Sequence, residues 1–343
     1  MNFAEKTIQS LSGQRVLIIG DIMLDRYLTG QVTRISPEAP VPVVLHEATQ
    51  DRLGGAANVA LNIAALHSEP ILCGLVGDDA DGAALMQLLP DYGISGAGIL
   101  QTLKRKTTSK TRILGNHQQM LRVDREDTHS LTDEEEHGLL EKVLALLDLP
   151  GLTAVIFQDY NKGVLTPLLI KEVIAACRKK GLLTTVDPKK ANFFDYQGVD
   201  LFKPNLKEIR DSAPFKVGST LESLIQADQF LRNQLHHKMT IITLSEKGLF
   251  LSKKAGCGTI YPTIARKIAD VSGAGDTVIS IATLGLAAGL SPEVIAELSN
   301  LAGGQVCEFS GVVPVNPEIL AQEYSRGNSN SPGIDRKLTE IIL

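Results

Sequence analysis

The sequence predicts an α/β fold in which helices cover a mostly parallel sheet. From Leu152 onward, short apolar segments rich in β-branched residues alternate with longer helical patterns, as in parallel-sheet proteins. A further apolar run, 15–20, ends in Gly-Asp, and polar side chains again follow the later predicted strands. Because the carboxyl ends of parallel strands share one edge of a sheet, we expect that edge to carry the chemistry.

The composition is that of a protein that binds small ligands. The chain has 343 residues and a net charge of -5 without a long basic block, so neither nucleic acid nor an anionic membrane is an expected partner. It shows no signal peptide and no apolar run near the roughly 18 residues of a membrane span, and we expect a cytoplasmic location. The four cysteines lack metal-ligand spacing and are predicted to be buried.

The first predicted strand, 15–20, delivers Asp21 and Asp25 to the ligand edge. It is not followed by the G-x-G-x-x-G turn of dinucleotide-binding folds, so an oxidoreductase is disfavoured. The next segment, 27–46, contains three prolines among alternating apolar residues, which is typical of edge strands. We interpret it as part of a lid.

Two further segments could contact a ligand. Residues 52–66 predict a helix that opens with glycines, and its Asn58 offers a donor and an acceptor to a hydroxyl-rich ligand, although small residues also serve helix packing. Residues 106–114 and 118–124 predict a hairpin. Its Arg112 and Arg122 could bind an oxyanion or lie on a solvated strand face.

The second half alternates strands and helices. Strands are predicted at 154–157, 183–186, 201–203 and 240–244, with a helix at 166–180 after the first of them. Polar segments follow these strands at 159–163, 187–190, 205–208 and 243–248.

The segment from Asp270 to Asp276 lies between a strand-like run, 259–268, and a predicted buried helix, 277–289. Its glycines let successive N–H groups converge at a helix N-terminus, where a phosphate is favoured. Asp276 follows directly, kept ionised by the helix dipole and amides, and could accept a proton from an attacking hydroxyl. A plain glycine turn with Asp276 as a helix cap is the alternative.

Three motifs in this order resemble the ribokinase-like (PfkB) family of sugar kinases: Gly54-Gly55-Ala56-Ala57-Asn58, Asn205-x-x-Glu208 and Asp270-x-x-Gly273-Ala274-Gly275-Asp276. The resemblance implies a three-layer α/β/α kinase domain at 12–323, with a lid from 27–46 and 103–124, followed by a polar tail at 324–343. Segments 20–27, 34–43, 118–124 and 159–165 are most similar to the heptose-phosphate kinases of ADP-heptose synthesis.

The resemblance implies ATP-dependent phosphorylation of the anomeric hydroxyl of D-glycero-β-D-manno-heptose 7-phosphate. Asp276 would be the general base, and the amides of Gly273, Ala274 and Gly275 would stabilise the transferring group. Asn205 and Glu208 would organise Mg²⁺ through water.

The resemblance also implies the ligand contacts. Asp25 would grip sugar hydroxyls in a pocket lined by Gly54, Gly55 and Asn58. Four cations could bind the distal phosphate, and which of them does so is left open: Arg112, Arg122, Lys162 and Lys189. The nucleotide would lie near Ser245, Gly248 and Asn300, with Asn205 beside its phosphates. Ser245 and Asn161 stand where relatives usually have glycine.

Further expectations follow from the resemblance. Asp270, Ser272 and residues 302–311 match a region that holds a monovalent cation such as K⁺ in many relatives. The lid often pairs with a second lid, which implies a homodimer. None of the seven histidines forms the His-x-Gly-His motif of a fused nucleotidyltransferase, so a separate adenylyltransferase is expected. The alternatives are a related kinase for ribose, fructose or a nucleoside, and a non-catalytic sugar or nucleotide sensor.

Overall fold

The computed structural model describes residues 2–116 and 118–329, with side chains described as far as residue 326. Within these ranges, no helix is both long and apolar enough to cross a membrane. The last helix continues to Ser329, so the tail predicted to begin at residue 324 is helical in its first part. The rest of the predicted tail lies outside the described residues.

The described strands form two sheets. In chain order they are β1 (Arg15–Gly20), β2 (Ile22–Ile35), β3 (Pro42–Gly55), β4 (Glu69–Gly77), β5 (Ser95–Thr102), β6 (Thr108–Gly115), β7 (Gln118–Arg125), β8 (Leu152–Gln158), β9 (Leu183–Asp187), β10 (Leu201–Phe202), β11 (Met239–Thr243), β12 (Leu249–Lys254) and β13 (Cys257–Tyr261). The main sheet has the order β13-β12-β11-β10-β9-β8-β1-β4-β5. In this sheet, β11, β10, β9, β8, β1, β4 and β5 pair in parallel with their neighbours. Strands β12 and β13 are added antiparallel at one edge.

Helices cover both faces of the main sheet. They are α1 (Phe3–Gln9), α2 (Ala56–Ala65), α3 (Ala80–Leu88), α4 (Asp133–Leu146), α5 (Pro167–Lys180), α6 (Leu206–Ser212), α7 (Leu221–Leu235), α8 (Ala274–Ala287), α9 (Pro292–Val306) and α10 (Pro317–Ser329). Along β1, Val16 and Ile18 pack with α2 and α8, whereas Leu17 and Ile19 pack in a second core with α4 and α5. The predicted three-layer α/β/α arrangement is confirmed.

The lid is a second sheet with the order β3-β2-β6-β7. It extends further toward the main sheet than the predicted segments 27–46 and 103–124. Its root is the start of β2 and the end of β3, where Ile22 lies opposite Gly55 and Asp25 lies opposite Arg52. Strand β2 also pairs in parallel with β6, which places Asp25 beside Lys110. The lid root therefore adjoins the carboxyl edge of the main sheet.

Two predictions on local structure are wrong. The strand-like run 259–268 ends at Tyr261, because Pro262 follows and cannot donate to a sheet ladder. Cys257 is exposed on the outer strand β13, while Cys73, Cys177 and Cys307 are buried as predicted. An edge strand has one side without a neighbour, so its residues remain accessible.

Candidate active site

The carboxyl ends of the central strands converge on the N-terminus of α8. Asp21 follows β1, Gln158 ends β8 and Asp187 ends β9, and all three are buried. Asp276 lies in the first turn of α8 and is only 3% exposed. The chemistry expected at this edge is therefore assembled around a buried carboxylate.

Asp276 accepts hydrogen bonds from three side chains. Asn58 Nδ2 donates to Oδ2 over 2.7 Å. Gln158 Nε2 and the Tyr160 hydroxyl donate to Oδ1 over 2.9 and 2.6 Å. A carboxylate has about four lone-pair positions, so one position remains, on Oδ2, for the hydroxyl of a bound substrate.

Burial raises the pKa of Asp276 to about 6, while hydrogen bonds from Tyr160 and Asn58 act in the opposite direction. Asp187 raises this pKa further and Lys203 lowers it. The predicted ionising influence of the helix N-terminus is therefore outweighed by the loss of hydration. A carboxylate with a pKa of about 6 is ionised at neutral pH and can accept a proton.

A tight glycine turn precedes Asp276. Gly273 has a φ of 83°, in the left-handed region, and a Cβ there would lie 2.7 Å from Asn58 Nδ2. The N–H groups of the first turn of α8, including those of Ala274 and Gly275, have no acceptor within the helix, although the Ala274 N–H makes a long 3.4 Å hydrogen bond to the Val271 carbonyl before it. An anion at this turn would meet these N–H groups at the positive end of the helix dipole.

A buried ion pair that sequence patterns do not reveal lies beside this turn. Lys203 Nζ is 2.9 Å from Asp187 Oδ2, and Lys203 is 2% exposed. A Cβ on Gly275 would lie 3.5 Å from Lys203 Nζ and 3.4 Å from Asp187 Oδ2. The pair thus places a lysine charge next to the anion position. Its one sequence signal is that Lys203 directly follows β10.

Asp25 and Arg112 form a buried ion pair at the root of the lid. The guanidinium of Arg112 also lies 5.3 Å from the centre of the Tyr27 ring. A Cβ on Gly54 would collide with Asp25 Oδ2, so glycine makes room for this carboxylate. The charge of Arg112, predicted for a phosphate, is therefore already balanced by Asp25.

Gly55 and Asn58 are both buried. Gly55 lies at the end of β3, opposite Ile22. Asn58 is fully buried and donates to Asp276 through Nδ2. Asn58 therefore touches the carboxylate that a substrate hydroxyl would approach, and its contact with the sugar stays a prediction.

Asn205 and Glu208 cap the N-terminus of α6 reciprocally. Asn205 Oδ1 accepts the Glu208 N–H over 2.9 Å, and Glu208 Oε2 accepts the Asn205 N–H over 2.8 Å. Glu208 also pairs with Lys189, whose Nζ is 3.9 Å from Asp187. Burial and Asp187 raise the pKa of Glu208, and Lys189 opposes them.

The Asn205 and Glu208 pair fits Mg²⁺ held through water. Carboxylate and amide oxygens suit this ion, and those of Asn205 and Glu208 are held in place by each other's backbone N–H groups, an arrangement compatible with contacts through the water that Mg²⁺ retains. Within the described part of the chain, no group of three His, Cys, Asp or Glu side chains could hold a metal directly.

Comparison with known proteins decides the class of this site. Residues 14–319 match the pfkB family of carbohydrate kinases. The chain belongs to this family. It is an ATP-dependent carbohydrate kinase, and the buried carboxylate beside an anion-binding turn suits phosphoryl transfer to an alcohol.

Two curated relatives resemble the kinase over most of its length. The bifunctional protein HldE of Methylobacillus flagellatus is 42% identical over 315 residues, covering 92% of this chain and 64% of the relative. The bifunctional protein HldE of Geobacter sulfurreducens is 36% identical over 338 residues, covering 96% and 68%. The kinase thus spans about two thirds of the length of these relatives.

Solved structures show the same fold. Phosphofructokinase-2 from Escherichia coli in complex with potassium has a TM-score of 0.74 at 20% identity, covering 91% of this chain and 99% of that chain. Arabidopsis thaliana ribokinase complexed with ribose and ATP has a TM-score of 0.69 at 19% identity, with the same coverage. The ribokinase-like fold predicted for the kinase is confirmed.

The remaining cations predicted for a distal phosphate lie on two sides of the kinase site. Arg122 pairs with Asp124 over 2.8 Å on the outer lid strand, and Lys162 pairs with Glu126 over 2.7 Å. Lys189 lies instead on the side of Glu208, as described above. Arg122 and Lys162 therefore each have a carboxylate partner at or near the lid, and Lys189 has its partner on α6.

Lys110 is a lid cation that the sequence patterns did not single out. It is half-buried on β6, and its Nζ lies 5.6 Å from the centre of the Tyr160 ring. Burial lowers the pKa of Lys110, and the charges of Lys162 and Arg122 act in the same direction, whereas the carboxylates of Asp25 and Asp124 raise it. No carboxylate of the described residues forms an ion pair with it. The alternating pattern of β6 is a weak signal that gives no reason to prefer this lysine over its neighbours.

The residues predicted at the nucleotide meet near 261–263. Asn300 Nδ2 donates to the carbonyl oxygens of Tyr261 and Pro262 over 3.3 and 2.8 Å, and Gly248 packs against the Tyr261 carbonyl. Ser245 lies in the turn after β11 with a φ of 55°. That left-handed angle explains why glycine is usual at this position.

Asp270 and Ser272 belong to a loop that is tied to residue 311. Asp270 Oδ1 accepts the Ser272 N–H over 2.9 Å, and Oδ2 accepts the Gly311 N–H over 3.1 Å. Burial opposes ionisation of Asp270, but these N–H groups and Arg112 lower its pKa overall. Asp270 therefore has a structural task whether or not a cation binds nearby.

Proposed function

We propose that the kinase phosphorylates the anomeric hydroxyl of D-glycero-β-D-manno-heptose 7-phosphate with ATP, giving the 1,7-bisphosphate for ADP-heptose and lipopolysaccharide core synthesis. The heptose-kinase-like segments of the sequence and the similarity to proteins named HldE support this substrate. The observation that carries the proposal is a cluster of three cations: Lys110 and Arg122 lie on the lid strands β6 and β7, Lys162 lies on the loop after β8, and the charges of Lys162 and Arg122 act on Lys110.

These three residues, called the lid cations below, suit a phosphate monoester. Arg122 and Lys162 each have one carboxylate partner, and Lys110 has none among the described residues. Lys110 lies near the carboxylates of Asp25 and Asp124 as well as the like charges of Lys162 and Arg122, and its pKa is still lowered overall by burial. A phosphate dianion, which supplies two negative charges, would stabilise the charged form of this lysine. A sugar with a distal phosphate would therefore be held by the lid, with its reacting hydroxyl at the other end.

In the proposed reaction, the anomeric hydroxyl donates its proton to Asp276 Oδ2 while its oxygen attacks the γ-phosphorus of ATP, and ADP leaves as the bond from that phosphorus to the bridging oxygen breaks. The N–H groups of Gly273, Ala274 and Gly275 and the charge of Lys203 stabilise the transferring group. Asp25 orients the sugar hydroxyls. Magnesium, held through water near Asn205 and Glu208, would neutralise charge on the ATP phosphates.

The nucleotide would extend from α8 along the carboxyl edge of the sheet. Asn205 bridges to Thr243 at the end of β11, and the turn that follows contains Ser245 and Gly248. The adenine would then approach Asn300. We also propose a K⁺ site near Asp270 and Ser272, in which backbone carbonyl oxygens would be the ligands, because Asp270 is occupied by N–H groups.

We propose that two copies of the kinase pair through their lids. Six large apolar side chains of the lid are at least 41% exposed: Ile35, Val41, Leu45, Met120, Leu121 and Val123. Neighbouring side chains of a strand point to opposite faces, so Leu121 and Val123 share one face of β7 and Met120 lies on the other. A second lid would cover one of these faces and exclude water from the closed site. The described histidines form no His-x-Gly-His motif, so we assign the later adenylyl transfer to a separate adenylyltransferase domain or protein.

A phosphate-transfer assay tests the substrate. Heptose 7-phosphate is compared with unphosphorylated heptose, fructose 6-phosphate, ribose, fructose and a nucleoside. We expect kcat/KM to be highest for heptose 7-phosphate, because unphosphorylated sugars give the lid cations no anion and fructose 6-phosphate has a chain one carbon shorter between its phosphate and its C1 hydroxyl. Efficient turnover of an unphosphorylated sugar, or a kcat/KM for fructose 6-phosphate as high as for heptose 7-phosphate, would refute the proposal.

The substitution Lys110→Met tests the phosphate contact. It should raise the KM for heptose 7-phosphate by at least about tenfold, because a charge-assisted hydrogen bond is lost, and should leave the KM for ATP unchanged. Lys106→Met is the matched control: this lid lysine is 56% exposed and lies 3.8 Å from Asp127. Equal small effects of both substitutions would contradict a phosphate contact by Lys110.

A further inference from the structure

Tyr160 contacts the carboxylate of Asp276 more closely than the other two donors do. Its hydroxyl lies 2.6 Å from Oδ1, where Gln158 Nε2 also donates over 2.9 Å. Two donors saturate the lone pairs of that oxygen. The oxygen that can accept a substrate proton is therefore Oδ2. Its position is fixed by the two hydrogen bonds that hold the other carboxylate oxygen, Oδ1.

The loop that carries Tyr160 is held in place by Asp21. The Asp21 carboxylate accepts the N–H groups of Tyr160, Lys162 and Val164 over 2.7, 3.1 and 3.3 Å. Asn161 takes a left-handed φ of 55° between them, which gives the loop its sharp turn. These bonds fix the backbone on both sides of Tyr160, so its ring has little freedom to move away from Asp276.

Two lysines flank the Tyr160 ring. Lys110 Nζ lies 5.6 Å and Lys189 Nζ 5.5 Å from the ring centre. Burial raises the pKa of Tyr160 well above its usual value, and Asp276 raises it further. The phenol therefore stays protonated at every pH at which the enzyme works, and it can act only as a donor.

We propose that Tyr160 is a positioning residue for the base. Together with Gln158 it saturates Asp276 Oδ1, so that the substrate hydroxyl delivers its proton to Oδ2 of the ionised carboxylate. This inference rests on the proposed role of Asp276 as general base. During transfer the hydroxyl O–H bond breaks and an Oδ2–H bond forms. The freed electron pair of the sugar oxygen forms a bond to the γ-phosphorus, and the bond from that phosphorus to the bridging oxygen breaks, so that ADP leaves with the bond's electron pair. Tyr160 keeps its own proton throughout.

The charged groups around Asp276 make the expected pH effect specific. Asp187 raises its pKa, Lys203 lowers it, and Lys189 Nζ lies 5.5 Å from the centre of the Tyr160 ring. Tyr160→Phe leaves all three charges and the ring in place and removes one hydrogen bond to the carboxylate. Because that bond stabilises the ionised form, its loss should raise the pKa of Asp276.

The test is the pH dependence of kcat/KM in Tyr160→Phe. We expect the acid limb to move to higher pH by about one unit, because a hydrogen bond to a charged group is worth about 1.5 kcal/mol or more. Turnover should fall about tenfold and the KM for ATP should not change. Tyr196→Phe is the matched control, since Tyr196 is also buried and donates to a carboxylate, Asp159 Oδ2, over 2.7 Å.

An acid limb of Tyr160→Phe that coincides with those of the parent and of Tyr196→Phe would overturn the proposal. If Tyr160→Phe is too slow to assay, urea unfolding at pH 5 and pH 8 gives the same answer. A higher pKa of Asp276 makes the stability difference between these pH values larger than in the parent, and an unchanged difference again overturns the proposal. This readout does not need Asp276 to be the base, so failure of the base assignment is recognised separately, by activity that survives Asp276→Asn.

Discussion

Replacing Asp276 by asparagine should remove catalysis and at the same time make folding stability less dependent on pH. The parent carboxyl is buried against three donors, and burial raises its pKa from 3.8 to about 6. Asparagine has nearly the same shape but carries no charge. The substitution therefore separates the requirement for a base from the requirement for a side chain that fills the position.

The magnitude follows from the pKa. A tenfold change in proton affinity is worth about 1.4 kcal/mol, so keeping Asp276 ionised costs the folded state about 3 kcal/mol. The native carboxyl binds its proton more tightly than the unfolded one does, so the cost is nearly absent at pH 4 and is complete above the native pKa of about 6. Asparagine avoids this cost but fails to accept one of the three hydrogen bonds, a loss of about 2 kcal/mol that is the same at every pH.

Urea unfolding at pH 4 and pH 8 measures this prediction. The free energy of unfolding of Asp276→Asn, relative to the parent, should rise by about 3 kcal/mol between these pH values. Turnover at pH 8 should fall by about 100-fold or more. Glu172→Gln is the control, because Glu172 is exposed on α5. If the difference in free energy of unfolding between Asp276→Asn and the parent does not change with pH, the raised pKa of Asp276 is refuted. If turnover stays within about tenfold of the parent, the role of Asp276 as general base is refuted.

Three further predictions test other parts of the site. Ser245→Gly should preserve ATP binding and raise the free energy of unfolding by up to about 1 kcal/mol, because glycine accepts the φ of 55° without strain; lower stability would contradict this account. Glu208→Gln should raise the Mg²⁺ concentration for half-maximal activity by about tenfold, whereas Glu222→Gln, in the first turn of α7, should not; equal values would exclude Glu208 from the metal site. Leu121→Lys, on the exposed face of the lid, should shift a dimer to a monomer in analytical ultracentrifugation, and a parent that sediments as a monomer would rule out the lid dimer.

The sequence predicted the sheet and its functional edge well because both depend on local signals. The strands at 183–186, 201–203 and 240–244 are short, rich in β-branched residues and followed by polar segments, and each is found within one or two residues of its predicted position. The rule that ligands bind at the carboxyl ends of parallel strands then brought Asp21 and Asp276 to one place. The helix at 166–180 was similarly marked, with Thr166 as its N-cap.

The pairing of charges could not be predicted because it depends on strand register between distant segments. Lys110 lies beside Asp25 only because β2 pairs in parallel with β6, and the same register brings Arg112 opposite Tyr27. No local pattern specifies this alignment. Burial also has no local signature, so the raised pKa of Asp276 and its contact with Tyr160 emerge only when the whole sheet is assembled.

The three donors that hold Asp276 lie 116 to 218 positions earlier in the chain. During synthesis, the segments that carry these donors therefore leave the ribosome long before Asp276 is added. A partly synthesised chain that ends before α8 has neither the buried base nor the glycine turn, and it cannot transfer a phosphoryl group. The helix that carries Asp276 must dock against segments from earlier parts of the domain. The phosphoryl-transfer activity of a preparation is therefore proportional to its fraction of completely folded molecules.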